Sequence, residues 1–271
     1  FKERQRKRTL DDYEYQLQTL KDNVSLLTPK ILDEINQCVV NAGHKLVKKN
    51  SETLKGKCDS FVVKTNVHYP TDINLLFDAI QKVITLISRE CKANNISGWR
   101  KKKSNIRKIK KQLYKVQNLK RSNAKKPEKK LQQEEKIKSA HQEYLNLVKN
   151  FYNKASLSLS TLSNVENVKK NVLKEIEKYM SYVLKQIDLI ERRVVKGEVI
   201  PHHEKIFSVF EEHTEWISKG KAGIPQELGL RVAVIEDQYQ FILNHKVMEG
   251  LTDEKITVLF TDETIEKFPA L

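Results

Sequence analysis

The sequence predicts a mixed α/β (α+β) chain in which a long helical block interrupts a small sheet. Three observations carry this. Apolar residues recur at three- and four-residue spacing through most of the first two hundred positions, as in amphipathic helices. One stretch there, CDSFVVKTNVHYPTD at 58–72, is instead rich in β-branched residues and reads as a strand. After Pro201 the composition shifts to short β-prone runs separated by turn residues, and most glycines lie beyond residue 196.

Residues 10–50 read as helix. Leu17, Leu20, Val24 and Leu27 share one face, and Thr28-Pro29 restarts a helix through Ile31, Leu32, Ile35 and Val39. Asn41-Ala42-Gly43 reads as its stop. The strand follows and ends at Tyr69-Pro70. Thr71 or Asp72 is placed to cap the next helix, whose wide apolar face runs from Leu75 to Ile87. A helix over about 99–120 has a narrow stripe of Ile106, Ile109, Leu113 and Val116, and Lys125-Lys126-Pro127 breaks it. A second helix passes Leu131, Ile137, Tyr144, Leu147 and Phe151, and the longest spans about 165–194. Narrow stripes predict antiparallel packing as a small bundle or hairpin. Strands are predicted at 213–218, 228–235 and 241–248, with 219–225 as a loop and Glu236-Asp237-Gln238 as a turn. Thr252 opens a last helix, with Asp253 and Glu254 suited to its positive end. Without the helical block, what remains is a β-meander feeding a helix. The expected division is 1–57, a helical N-terminal segment; 58–90 with 198–271, the sheet and its helices; and 91–197, a basic helical insertion.

Composition narrows the function classes. The chain has 271 residues, 39% hydrophobic and 31% charged, enough for a real core. No apolar run approaches the roughly 18 residues needed to cross a bilayer, and FKERQRKRTLDDYEY has no signal core. Cys38, Cys58 and Cys91 are widely spaced with no CxxC, which argues against a zinc ribbon or disulfide framework and fits a reducing compartment. His202, His203 and His213 lack zinc spacing, and Gly220-Lys221 is no P-loop. Between Trp99 and Lys154 there are sixteen Lys and three Arg against four Glu, a local +15 that equals the net charge of the whole chain. Charge concentrated on one element points to a polyanionic partner; a solvated helix face is the plainer alternative. Arg100, Lys101, Lys102, Lys103, Arg107, Lys108, Lys110 and Lys111 are the candidate phosphate contacts, with Lys219 and Lys221 as weaker ones. Trp99 is suited either to stack on a base or to anchor its helix to the core.

Two stretches carry a resemblance. CDSFVVKTNVHYPTDINLLFDA, with HEKIFSVFEEHTEWISKGKAGIPQELGLRVAVIEDQYQFILNHKVMEGLTDE, resembles bacterial insertion-sequence transposases of the DDE class, the ISNCY-type group in particular. The resemblance spans most of the chain. It implies a ribonuclease H-like core in which three acids hold two Mg²⁺ ions for DNA strand cleavage and transfer. It places the first acid at Asp59, on the first strand, as catalytic residue and metal ligand. It implies DNA as partner, both transposon ends and target, a homodimer in the transposition complex, and a bacterial cytoplasmic, nucleoid-associated setting. The second and third acids would lie beyond Phe268-Pro269-Ala270-Leu271, so the resemblance implies a fragment, inactive alone. Two positions depart from the family pattern: Lys64 stands where an acid is expected, and Gln240 where a hairpin glycine is expected. Phosphoryl transfer at paired metals explains the demand for rigidly held carboxylates, because Mg²⁺ takes hard oxygen ligands. From the residues alone, Asp59 is equally a strand-edge turn residue and Asp72 a helix cap. A non-catalytic helical nucleic-acid-binding protein is the alternative reading of the same basic block.

Overall fold

The computed structural model describes residues 16–47, 53–121, 127–221 and 223–269, without the side chains of 127, 219–221 and 224. The elements are α1 (Leu17–Ser25), α2 (Pro29–Val47), β1 (Gly56–Lys64), α3 (Asp72–Ala93), α4 (Lys102–Arg121), α5 (Pro127–Ser163), α6 (Lys170–Ile190), β2 (Glu215–Lys221), β3 (Ile224–Asp237), β4 (Ile242–Val247) and α7 (Asp253–Lys267). The chain is mixed α/β, predominantly helical, with one small antiparallel sheet of four strands. Among the described residues no helix is long and apolar enough to cross a membrane. The chain divides into two compact units, residues 64–229 and residues 1–63 with 230–271, so the division falls within β1 and β3.

In residues 64–229 the helices form the core. Thr71 caps α3, its hydroxyl accepting from the Asn74 N–H, so Thr71 and not Asp72 is the N-cap. Asp72 instead pairs with Arg193 at 2.5 Å. The apolar face of α3 is buried from Ile73 to Cys91 and packs chiefly on α6, with α4 and α5 beside it. From α4 only Ile109, Leu113 and Val116 are buried, as the narrow stripe predicts. The helix through Leu131 and Phe151 runs to Ser163, and Pro127 stands at its first position, where a missing N–H costs nothing. After α6 a π turn over Glu191–Val195 leads to Gly197, whose φ of 74° releases the chain.

Residues expected to form a loop at 219–225 are mostly strand. β2 runs on to Lys221 and β3 begins at Ile224, with Gly223 turning between them at φ 95°. β2 pairs antiparallel with β3 from Glu215↔Gly229 to Ser218↔Gln226.

The second unit is built on the later half of β3. Val232 to Glu236 pair antiparallel with β4. β1 lies beside β3 at the edge of the sheet. Its amide neighbour Lys55 donates to the Gln238 side chain, near the far end of β3. Ala233, Ile235 and Asp237 alternate inward from β3, as a half-buried strand requires. Against them pack Val40 of α2, Leu243 of β4, and Ile256 and Phe260 of α7.

The expected helix stop at Gly43 is not observed. α2 runs through it to Val47, because Gly43 faces the Phe241 ring and a β-carbon there would enter the ring's volume. The glycine serves close packing, not chain reversal. Gln240 has a φ of 68°, the left-handed region that favours the glycine the resemblance leads one to expect.

Candidate functional site

Asp59 lies on β1, in the unit of residues 1–63 and 230–271. Its Oδ1 accepts from the Ser60 N–H at 2.8 Å, and the residue is exposed. It lines a recess of about 210 Å³ with Cys58, Ser60, Ala233, Asp253, Ile256 and Thr257. The recess thus forms where β1 and β3 meet the first turn of α7. Burial pushes the Cys58 thiol up, and the negative charges of Asp253 and Asp59 add to the effect. Cys58 therefore stays a thiol at neutral pH.

The position of Asp253 is the signal that sequence reading missed. Its place in the first turn of α7 suits the helix dipole as expected. The same place puts its carboxylate on the recess that Asp59 lines. A turn of helix and a strand some two hundred residues apart share one cavity, and no local spacing could report it. Among the described residues no group of three or more His, Cys, Asp or Glu side chains is arranged to hold a metal ion. Two carboxylates and a Ser hydroxyl are nonetheless hard oxygen donors, and Mg²⁺ commonly takes only one or two protein carboxylates beside phosphate and water. The two carboxylates fit Mg²⁺, while the Cys58 thiol in the same recess is not a ligand for it.

β1 differs from the buried strand that its apolar run suggests. Phe61 and Val63 are 48% and 49% exposed. The strand is an edge, and only one of its sides is paired among the described residues. Lys64, where an acid was expected, lies 3.8 Å from Glu227.

Asp237, a hairpin residue by sequence, proves to be a buried, hydrogen-bonded structural side chain. Its Oδ1 accepts from the Tyr239 and Phe241 N–H groups, and its Oδ2 lies 2.5 Å from His44 Nε2. The pair ties α2 to the β3–β4 turn.

The basic candidates lie in the other unit. α4 has no acidic residue. Arg100, Lys101, Lys103, Arg107, Lys108, Lys110 and Lys111 are exposed, and Lys102 is half-buried. Lys115 pairs with Glu143 at 2.6 Å. None of the eight candidates makes an ion pair among the described residues. The cations are thus left to solvent and counterions. Lys219 and Lys221 are on β2 and not in a loop, and their side chains lie outside the described residues.

Trp99 resolves to an anchor. It is 4% exposed, its Nε1–H donates to Ser158 Oγ at 2.8 Å, and Lys154 Nζ sits 4.6 Å from the ring centroid. The ring is unavailable for stacking on a base. Tyr114, not singled out by sequence, is 49% exposed on α4, with Lys110 Nζ 5.5 Å from its ring centroid.

Comparison with protein families, with curated proteins and with solved structures found no match.

Proposed function

We propose that the chain is part of a DDE-class transposase: the α4 cations bind DNA phosphates, and Asp59 supplies the first metal ligand of a two-Mg²⁺ phosphoryl-transfer site. The observation that carries the reading is the placement of β1. The strand bearing Asp59 is separated from β2 by more than a hundred residues of helix, yet it lies beside β3 in an antiparallel sheet that leads into α7. The resemblance implies a first strand that rejoins its sheet across an interruption, and β1 does so beside β3, with β2 as an additional strand. The unpaired side of β1 offers the hydrogen-bonding edge on which a further strand of such a core would add.

Asp59 would hold Mg²⁺, and Asp253 is the carboxylate nearest to hand in the same recess. Bound Mg²⁺ supplies a Lewis acid and an activated nucleophile for attack on a phosphodiester. The chain's own part is to hold the Asp59 carboxylate on a strand, with one oxygen engaged by the Ser60 N–H. The unpaired cations of α4 supply sequence-independent affinity through counterion release. A non-catalytic nucleic-acid-binding protein is the second reading, and the same basic helix is what favours it.

Two measurements test the proposal. DNA affinity should fall steeply with added salt, and replacing Arg107, Lys108 and Lys111 with Gln should lower both the affinity and the salt slope. An affinity flat in salt counts against the basic helix. Mg²⁺ binding followed by NMR shifts of the 58–60 amides should be lost in Asp59→Ala. If the shifts persist in that variant, the metal role of Asp59 is wrong and the non-catalytic reading stands.

A further inference from the structure

We infer that Tyr114 is a stacking platform for an unpaired nucleotide base, so that the basic face of α4 binds single-stranded nucleic acid better than duplex. The inference rests on the DNA-binding reading of α4 and names the form of nucleic acid it takes.

Lys103, Arg107, Lys110 and Tyr114 follow one another at steps of four, three and four residues, which sets them in one row along the helix. The row rises about 16 Å from Lys103 to Tyr114 at the helical rise per residue. All four residues are exposed, while Ile109, Leu113 and Val116 face the core from a different side of the helix. Three cations in line suit a single phosphate backbone, and the row ends on an aromatic ring. Tyr114 is the only aromatic residue in α4. It is half-exposed and touched by the Lys110 ammonium, 5.5 Å from its centroid. A half-exposed ring with a cation beside it can take a flat partner on the surface it leaves to solvent. An unpaired base offers a free π-face and a neighbouring phosphate, which meet the ring and the Lys110 charge together. In duplex DNA both faces of each base are stacked on neighbours, and the ring has nothing to engage.

The test uses fluorescence anisotropy with a labelled oligothymidine and a duplex of the same length at low salt. The wild-type chain should bind the single strand more tightly. Tyr114→Ala should weaken single-strand binding by about tenfold, the scale of one lost base–aromatic stack, and change duplex binding by less than about twofold. Tyr114→Phe should retain the single-strand affinity, because stacking needs the ring and not the hydroxyl. The salt slope of Tyr114→Ala should match wild type, since no phosphate contact is removed. Equal losses on both probes, or no loss on either, overturn the stacking role and leave the DNA-binding reading intact. Wild type failing to bind either probe overturns both.

Discussion

The two units are held together in different ways. In residues 64–229 most buried apolar residues form one continuous cluster drawn from α3, α4, α5 and α6, with Trp99, Val168 and Val209 added from outside them. In the other unit the cluster contains nine buried residues, and polar contacts make up the difference. Asn36 donates to the Ile242 and Leu243 carbonyls, Lys267 bridges Asp33 and Asn244, and Asp237 holds both His44 and its own turn. Burial is forgiving in direction, whereas a buried polar pair is costly when one partner is lost. The helical unit should therefore fail by cavities, and the sheet unit by single broken pairs.

The largest expected effect is in the sheet unit. Asp237→Ala removes the acceptor of two backbone N–H groups and strands His44, and should cost about 3–5 kcal/mol in chemical denaturation. A loss under about 1 kcal/mol would mean that apolar packing governs this unit as well. Ile84 of α3 is fully buried, and Ile84→Ala should cost about 2–5 kcal/mol in the helical unit through lost transfer energy and the cavity left behind.

His141 tests the helical unit from another side. It is fully buried, Nδ1–H donates to the Ile137 carbonyl, and Nε2 has no partner among the described residues. Burial lowers its pKa to about 4, with Lys120 and Arg193 adding repulsion. The unfolded chain takes up a proton near the ordinary value of 6.5 while the folded chain does not. Its contribution to stability is thus complete above pH 6.5, is lost as the pH falls toward about 4, and changes no further below that. The loss should be about 3 kcal/mol, read from urea midpoints across that range. His141→Leu should flatten the profile there.

The smallest effect is a gain. Gln240→Gly relieves a left-handed backbone at the β3–β4 turn and should raise stability by up to about 1 kcal/mol in thermal unfolding. A loss would show that the Gln240 side chain makes contacts worth more than the strain.

Much of the helical unit was legible because its helices carry their own periodicity. Of the stripe Ile106, Ile109, Leu113 and Val116 read off the chain, the last three are buried and Ile106 is half-buried. The start of α3 was likewise visible within one turn, but the choice of Thr71 over Asp72 as its cap was not. The loop expected at 219–225 failed because strand pairing, not local propensity, carries β2 to Lys221 and starts β3 at Ile224. Gly43 was misread because its reason, the Phe241 ring, lies about two hundred residues away.

The candidate site shows the same division. Sequence alone determined that basic charge is concentrated between Trp99 and Lys154, that Asp59 opens a β-branched run, and that the chain alternates between helical and strand-forming language. Composition and periodicity are local properties, so they survive without a fold. Only the tertiary structure decided that Trp99 is an anchor and Tyr114 the exposed ring, that Asp237 is a buried, hydrogen-bonded structural side chain, and that Asp253 shares a recess with Asp59. Each of those depends on which surfaces the packed helices and the paired strands remove from water, and that is settled by contacts between residues far apart in the chain.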